Sequence, residues 1–353
     1  MWKAFGPSSF CEFPAVTLVD LSTVPTLPRL TQAIAPLTRE VAVVDEFGQP
    51  GTVSIPAERD LTVYVDKREL VTLMTLGAHP EWLVLGFLLN QRLVGSVSDI
   101  ESITVDWEVG AAAVVTRHGI DRIEERTSKR VVTTGCGQGS VFGGLMDEID
   151  RIVLPPDAVL RQSQLNRIVN TIRLKESTYK SAGSVHACAL FVDDQLQLFV
   201  EDVGRHNAVD TIAGWMALQQ APTLHRSRGS LPQDREGYRS APVPGADPAR
   251  GGPAPDRQDG LPVGQKVFYT TGRLTSEMVI KSAQMGVPLV VSRSGITQMG
   301  QQIAERVGLC AIGRATNTRF LCYTHPQRLV FDAIPAAPVA QRRAAPEVPS
   351  EAA

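Results

Sequence analysis

The stretch from Lys266 to Tyr323 leaves this chain the fewest options for a fold. Lys266-Val267-Phe268-Tyr269-Thr270 reads as a strand, Ser276 to Gln284 as a helix and Pro288 to Val291 as a second strand. A helix over Gln298–Val307, a short strand over Cys310–Ile312 and a last strand over Phe320–Tyr323 complete the alternation. Apolar, β-branched runs separated by helical periods call for crossover connections, since parallel strands cannot be closed by a tight turn. The pattern predicts a three-layer α/β domain with parallel strands.

The chain has 353 residues, so there is room for a second unit ahead of that domain. Arg39–Val44 is β-favouring, and Leu61–Val65 and Leu70–Met74 flank the polar Asp66-Lys67-Arg68-Glu69 as a hairpin would. His79-Pro80-Glu81-Trp82 opens a helix with proline suited to its first turn and Leu83, Phe87 and Leu88 on one side. Ile100–Val105 and Ala111–Thr116 read as two further strands. These pieces predict a smaller mixed α+β domain over residues 36–150 with antiparallel pairing, preceded by a loose Pro/Ser/Thr-rich arm over 1–35 that carries Cys11.

After a connector near 147–156, Ser163 can cap a helix in which Leu165, Ile168, Val169 and Ile172 recur at helical spacing. Ala187–Val192 and Leu196–Val200 form a second hairpin-like pair across Asp193-Asp194, and a helix carrying Ile212, Trp215 and Met216 follows. The α/β domain then spans 151–331. It is interrupted over 219–264, where Pro, Gly, Arg, Asp and Ser replace any hydrophobic period and too little apolar surface remains to offset ordering. A flexible insertion is expected there, and a disordered Ala/Pro-rich tail over 332–353.

Hydrophobic residues make up 43% and charged residues 20%, enough for a sizeable core. The formal net charge of −2 supplies no global field for nucleic acid or an anionic membrane, so any anion site is local. No apolar run approaches the roughly 20 residues of a membrane span, and the first residues lack a signal peptide's apolar core. Five scattered cysteines, with no Cys-x-x-Cys, argue against a disulfide framework or a four-thiolate zinc site and for a reducing, cytoplasmic setting.

One cysteine is placed unlike the others. Cys136 lies in Thr133-Thr134-Gly135-Cys136-Gly137-Gln138-Gly139-Ser140, straight after a β-favouring run. Cys188, Cys310 and Cys322 sit in apolar strands and read as core. A thiol flanked by glycines suits a nucleophile or a carrier that reaches into another site. The same octapeptide is also compatible with a glycine-rich turn that happens to hold a cysteine.

Four strand ends share another feature. Glu201-Asp202-Val203-Gly204-Arg205-His206-Asn207-Ala208-Val209-Asp210 runs from a strand into a helix. Thr271-Gly272-Arg273 with Ser276-Glu277, Ser292-Arg293-Ser294-Gly295, and Gly313 to Arg319 follow three more strands. Glycine, arginine and hydroxyl residues at the carboxyl ends of strands suit a large, multiply charged phosphate ligand, though any one of them could be an ordinary turn. Asp202, His206 and Asp210 at i, i+4 and i+8 would share one face of a continuous helix, so a metal site and a plain helix start remain alternatives to a phosphate site. His186 stands where a loop enters a strand, as a hydrogen-bonded core residue or as part of the same site.

Together, Thr134-Gly135-Cys136-Gly137, Glu201 through Asp210, Gly272-Arg273 with Ser276-Glu277-Met278-Val279, and Tyr323-Thr324-His325-Pro326-Gln327-Arg328-Leu329 resemble the formate dehydrogenase accessory sulfurtransferases, the FdhD/NarQ family. The likeness runs from about Arg39 to Leu329, outside the insertion. It implies a cytoplasmic homodimer whose larger domain has a cytidine-deaminase-like α/β/α fold. It also implies transfer of persulfide sulfur from a cysteine desulfurase to the molybdenum (or tungsten) bis(molybdopterin guanine dinucleotide) cofactor, a bound client that then enters formate dehydrogenase. No intrinsic metal is expected, and no nucleic acid or membrane partner.

Cys136 matches the family's persulfide-carrying cysteine, and Arg314, Ala315, Thr316, Asn317, Thr318 and Arg319 match the segment assigned to the cofactor. His186, Asp202, Gly204, Arg205, His206, Gly272, Arg273, Ser276 and Ser292 complete the expected cofactor-binding set. Deaminase chemistry does not come with the fold, because His186-Ala187-Cys188 lacks the glutamate and the paired cysteines that zinc deaminases need. Many relatives carry a second cysteine where this chain has Gly139. Three functions compete: sulfur transfer through Cys136 and a non-catalytic cofactor chaperone, both implied by the resemblance, and a metal-dependent hydrolase using His186, Asp202, His206 and Asp210.

Overall fold

The computed structural model describes residues 27–120, 131–132, 139–140, 149–175, 177–221, 261 and 264–333. Most of the expected arm, insertion and tail, and the Cys136 loop itself, lie outside these residues.

The first unit holds β1 (Arg29–Leu30), β2 (Thr38–Val44), β3 (Pro50–Pro56), β4 (Arg59–Val65), β5 (Arg68–Thr75), α1 (Pro80–Asn90), β6 (Ile100–Asp106) and β7 (Ala111–Thr116). Asp66 and Lys67 both take positive φ, 48° and 71°, so the β4–β5 hairpin closes on the two-residue turn that matches strand twist. The five-stranded sheet runs β1-β6-β7-β4-β5, and β2 and β3 pair separately. Antiparallel pairing alone was expected. Instead β4 lies parallel to β7 and β1 parallel to β6, because α1 carries the chain across the sheet between the two hairpins. Order also begins earlier than expected, within the arm. Thr31 Oγ1 and Ala33 N donate to Glu81 Oε1 at 2.6 and 2.9 Å, tying the residues after β1 to the start of α1.

β8 (Val131–Val132) and β9 (Gly139–Ser140) pair with each other in a sheet of their own. The second unit holds β10 (Leu160–Arg161), α2 (Gln162–Leu174), α3 (Thr178–Ala182), β11 (His186–Val192), β12 (Gln195–Asp202) and α4 (Arg205–Gln220). Then come β13 (Lys266–Thr270), α5 (Ser276–Gln284), β14 (Leu289–Ser292), α6 (Gln298–Arg306), β15 (Cys310–Thr316), β16 (Arg319–Cys322) and β17 (Leu329–Val330). The six-stranded sheet has the order β12-β11-β13-β14-β15-β16. β13, β14 and β15 are parallel, as the alternation predicted, while β11 and β16 run against them. Cys188, Leu190, Phe268, Val290 and Ala311 face α4, α5 and α6; Ala189, Phe191, Val267, Leu289 and Ile312 face α2. Alternate residues of each strand thus feed two cores.

Three local expectations change. Arg161, not Ser163, occupies the N-cap of α2, and Ser163 instead donates from N and Oγ to the Asp332 carboxylate at 2.8 and 2.7 Å. Cys322 is half-buried on the edge strand, with its thiol directed to Thr324 O at 3.2 Å. α1 buries nine of its eleven residues rather than one side, because its far face meets α4. That crossing is made by glycines: a Cβ at Gly86 would lie 1.7 Å from Asp210 O, and one at Gly214 2.0 Å from Trp82 O. Only residues without a side chain let the two backbones come so close.

Candidate functional site

β12 runs opposite to β11 and β11 opposite to β13, so β12, β13, β14 and β15 all point their carboxyl ends to one edge of the sheet. β11 begins at that edge, with His186 opposite Asp202. The four segments singled out in the sequence therefore meet in space, and hydrogen bonds lace the last three together. Arg293 N donates to Thr270 O at 3.0 Å and Arg314 N to Ser294 O at 2.7 Å. Ser292 is wholly buried; its Oγ donates to Gly272 O at 2.7 Å and accepts from Ser294 N at 2.9 Å. Its hydroxyl is spent on shaping two loops, so it supports the site rather than facing a ligand.

Arg205 is the first residue of α4 and is only 4% exposed. Its stem lies over Gly272, where a Cβ would come within 2.9 Å of Arg205 Cδ. Its Nε and Nη2 are buried without a hydrogen-bond partner. A guanidinium in that state is strongly disfavoured unless an anion completes it. The helix start adds N–H groups and the positive end of the macrodipole. Thr275, the N-cap of α5, also keeps a buried Oγ1 with no partner, and Ser276 after it is half-buried. Two helix starts and one buried guanidinium thus favour negative charge at the same edge.

A cavity of about 530 Å³ opens on the α2 face, lined by His186, Phe199, Tyr269, Arg293, Thr316 and Asn317 among others. His186 borders this cavity and also senses Arg205 and Arg273: burial, then those two cations, hold its imidazole below the usual range. Arg273, Arg293, Arg314, Thr316, Asn317, Thr318 and Arg319 are exposed around the edge. Gly313 to Arg319 is a hairpin rather than a loop, with Arg314 and Asn317 at φ 52° and Ala315 buried in the core.

The even spacing of Asp202, His206 and Asp210 does not produce a shared helix face. Asp202 ends β12, Gly204 is the N-cap of α4, and only His206 and Asp210 are helical. Asp202 accepts from Thr75 Oγ1 (2.5 Å), Leu76 N (3.2 Å), Gly204 N (3.0 Å) and Asn207 Nδ2 (2.9 Å). Burial still raises its carboxyl above the ordinary range against the pull of those donors. Asp210 is held by Lys281 Nζ at 2.8 Å and Asn90 Nδ2 at 2.7 Å. Among the described residues no group of three or more His, Cys, Asp or Glu side chains is placed to hold a metal ion.

His206 Nε2 lies 3.2 Å from Glu277 Oε2, and Glu277 Oε1 lies 3.6 Å from Lys281 Nζ. Burial, and Lys281 after it, push the His206 imidazole down to about 3, so it is neutral near pH 7. Lys281, Asn90 and Thr75 were missed in the sequence, and Glu277 was noted only as motif. Their one signal there is the charged pair Glu277 and Lys281, four apart inside the apolar run of α5, which reads equally as a surface pair.

Cys136 lies outside the described residues. The strands on either side of it do not: Val131 pairs with Ser140 and Val132 with Gly139, antiparallel. Cys188, by contrast, is fully buried with its thiol on Thr270 Oγ1 at 3.3 Å and is pushed up to about 12 by burial, which makes it a poor nucleophile.

No helix of the described residues is long and apolar enough to cross a membrane. Among solved structures, one described as a formate dehydrogenase accessory protein from Desulfotalea psychrophila superposes with a TM-score of 0.57 at 22% identity, over 84% of this chain and 100% of that one. Two curated relatives are both named Sulfur carrier protein FdhD. The Bacillus pumilus protein is 27% identical over 79% of this chain and 91% of its own length; the Bacillus subtilis protein is 28% identical over 77% and 88%. A profile described as the FdhD/NarQ family matches residues 56–227 and 257–330, a span that takes in the Cys136 loop and every strand end described above. On that match the chain belongs to the FdhD/NarQ family.

Proposed function

We propose that this protein is a sulfur carrier for formate dehydrogenase: Cys136 accepts persulfide sulfur from a cysteine desulfurase and delivers it to a molybdenum or tungsten bis(guanine dinucleotide) cofactor held at the strand ends. The observation that carries the binding half is the Arg205 guanidinium, buried without a partner at an edge where two helix starts converge. The carrier half rests on the family and on the names of the relatives. The cytidine-deaminase-like layering, the cytoplasmic location and the homodimer belong to the same reading.

Loading is thiol exchange. The Cys136 thiolate attacks the outer sulfur of the desulfurase persulfide, a new S–S bond forms, the old one breaks and the desulfurase thiolate leaves. Handing the outer sulfur on as sulfide breaks the new bond and takes two electrons, from a thiol reductant or from the client metal. Gly139 offers no second thiol to supply them. At the strand ends Arg205, with Arg273, Arg314 and Arg319 at the edge, would bind the pyrophosphates by charge-assisted hydrogen bonds, while neutral His186 can donate to or accept from the ligand.

Incubation with a cysteine desulfurase and cysteine, followed by intact-mass measurement, tests the carrier. Wild type should gain one sulfur atom and Cys136→Ala none. Gly139 also motivates a second reading, a cofactor-binding chaperone without sulfur transfer. Wild type that gains no sulfur, yet still restores formate dehydrogenase in a deletion strain, would leave only that reading.

A further inference from the structure

Lys281, on α5, is buried away from solvent. Its ammonium contacts Asp210 at 2.8 Å and Glu277 at 3.6 Å. Both carboxylates share the interior with the start of α4: Asp210 is one helical turn below His206, and Glu277 touches His206 directly. Arg205, the residue before His206, keeps two buried nitrogens unpartnered, and its charge acts on the same imidazole as those of Glu277 and Lys281. In a low-dielectric interior a carboxylate left uncompensated would draw the nearest guanidinium or a proton from solvent. An arginine paired internally has little charge left for a ligand.

We propose that Lys281 is a positioning residue of the anion site: it engages Asp210 and Glu277, so that neither carboxylate claims Arg205 or a proton on His206, and the Arg205 guanidinium stays available to phosphate. This role rests on Arg205 being a phosphate ligand. Asn90 fixes the other oxygen of Asp210 and carries the arrangement into α1. The charged and titratable groups that face His206 are Glu277 and Lys281 from α5, Arg205 on its own helix and His186 from β11.

Calorimetric titration with inorganic pyrophosphate, on the full chain, separates the possibilities. Arg205→Ala should weaken binding by roughly ten- to a hundredfold, the value of a charge-assisted contact. Lys281→Met should weaken it by about tenfold although it touches no ligand, and Lys281→Met with Glu277→Gln should return it to within about threefold of wild type. The His206 imidazole, followed by NMR, should titrate at a higher pH in Lys281→Met than in wild type and fall back in the double variant. Unchanged binding in Arg205→Ala would overturn the phosphate reading itself. Weak binding in Arg205→Ala beside wild-type binding in a folded Lys281→Met, or a double variant no better than Lys281→Met, would overturn only the role of Lys281. Should Lys281→Met not fold, the double variant decides, since it removes one charge of each sign: loss of pyrophosphate binding there overturns the proposal.

Discussion

The rim of the sheet edge and the interior beneath α4 carry the same kinds of groups in opposite surroundings. Arg273, Arg293, Arg314 and Arg319 are exposed; Lys281, Asp210, Glu277, His206 and Arg205 are each at most 4% exposed. A rim arginine is solvated whether or not a ligand is present, and its field fades over about 8 Å at physiological salt. A buried charge has no such cushion, so each must be matched by a partner or by a ligand. On the proposed reading the rim attracts anions in general, while the interior decides whether one guanidinium is left over for a particular anion.

That contrast is easiest to break at its centre. Asp210→Ala leaves the Lys281 ammonium without its closest partner, and the protein should lose about 3–5 kcal/mol of stability in urea unfolding. A loss below about 1 kcal/mol would mean that the buried pair behaves like a surface one. Next in size, Gly214→Ala drives a methyl into Trp82 O and should cost about 3 kcal/mol through separation of α1 from α4, read by the same measurement.

The acid limb of stability sharpens the contrast further. An unfolded imidazole takes up its proton near 6.5, whereas buried His206 holds off until about 3. Between those values the unfolded state binds more protons, so stability is lost as pH falls from 6.5 towards 3. His206→Gln should remove one proton from that dependence, about 1.4 kcal/mol per pH unit, in unfolding curves collected from pH 6.5 to 4. His79, stacked on Trp82 at 4.2 Å and lowered by burial to about 4, should keep its own share. The smallest effect belongs to the rim: Arg293→Ala should weaken pyrophosphate binding by about threefold or less and fade with added salt. A larger, salt-insensitive loss would move Arg293 into the same class as Arg205.

Much of this arrangement was legible in the chain. The alternation from Lys266 to Tyr323 carries its own periodicity, and the parallel run β13-β14-β15 follows it. Arginine and glycine after successive strands marked one edge, because parallel strands must deliver their ends to the same side. The hairpin turn at Asp66-Lys67 was likewise legible, from polar residues between two apolar runs. Other features were misread for local reasons. Regular spacing put Asp202, His206 and Asp210 on one helix, but the chain is extended until Gly204, and two of the four donors around Asp202, Thr75 and Leu76, come from a segment far away in sequence.

What residues and their order determined alone was the type of the longer elements and the residue types gathered at the strand ends, since backbone propensity and hydrophobic period act over a few residues. Burial is different, because it depends on what another part of the chain places opposite. Glu277 and Lys281 read as an ordinary helical pair until His206 and Asp210 of α4 pack against them. The approach of Gly86 to Gly214 puts Asn90, Asp210 and Lys281 in one dry interior. Only that packing turns a weak surface interaction into a buried one that, on our proposal, keeps Arg205 free for a ligand, because the dielectric around a charge is a property of the fold and not of the residue.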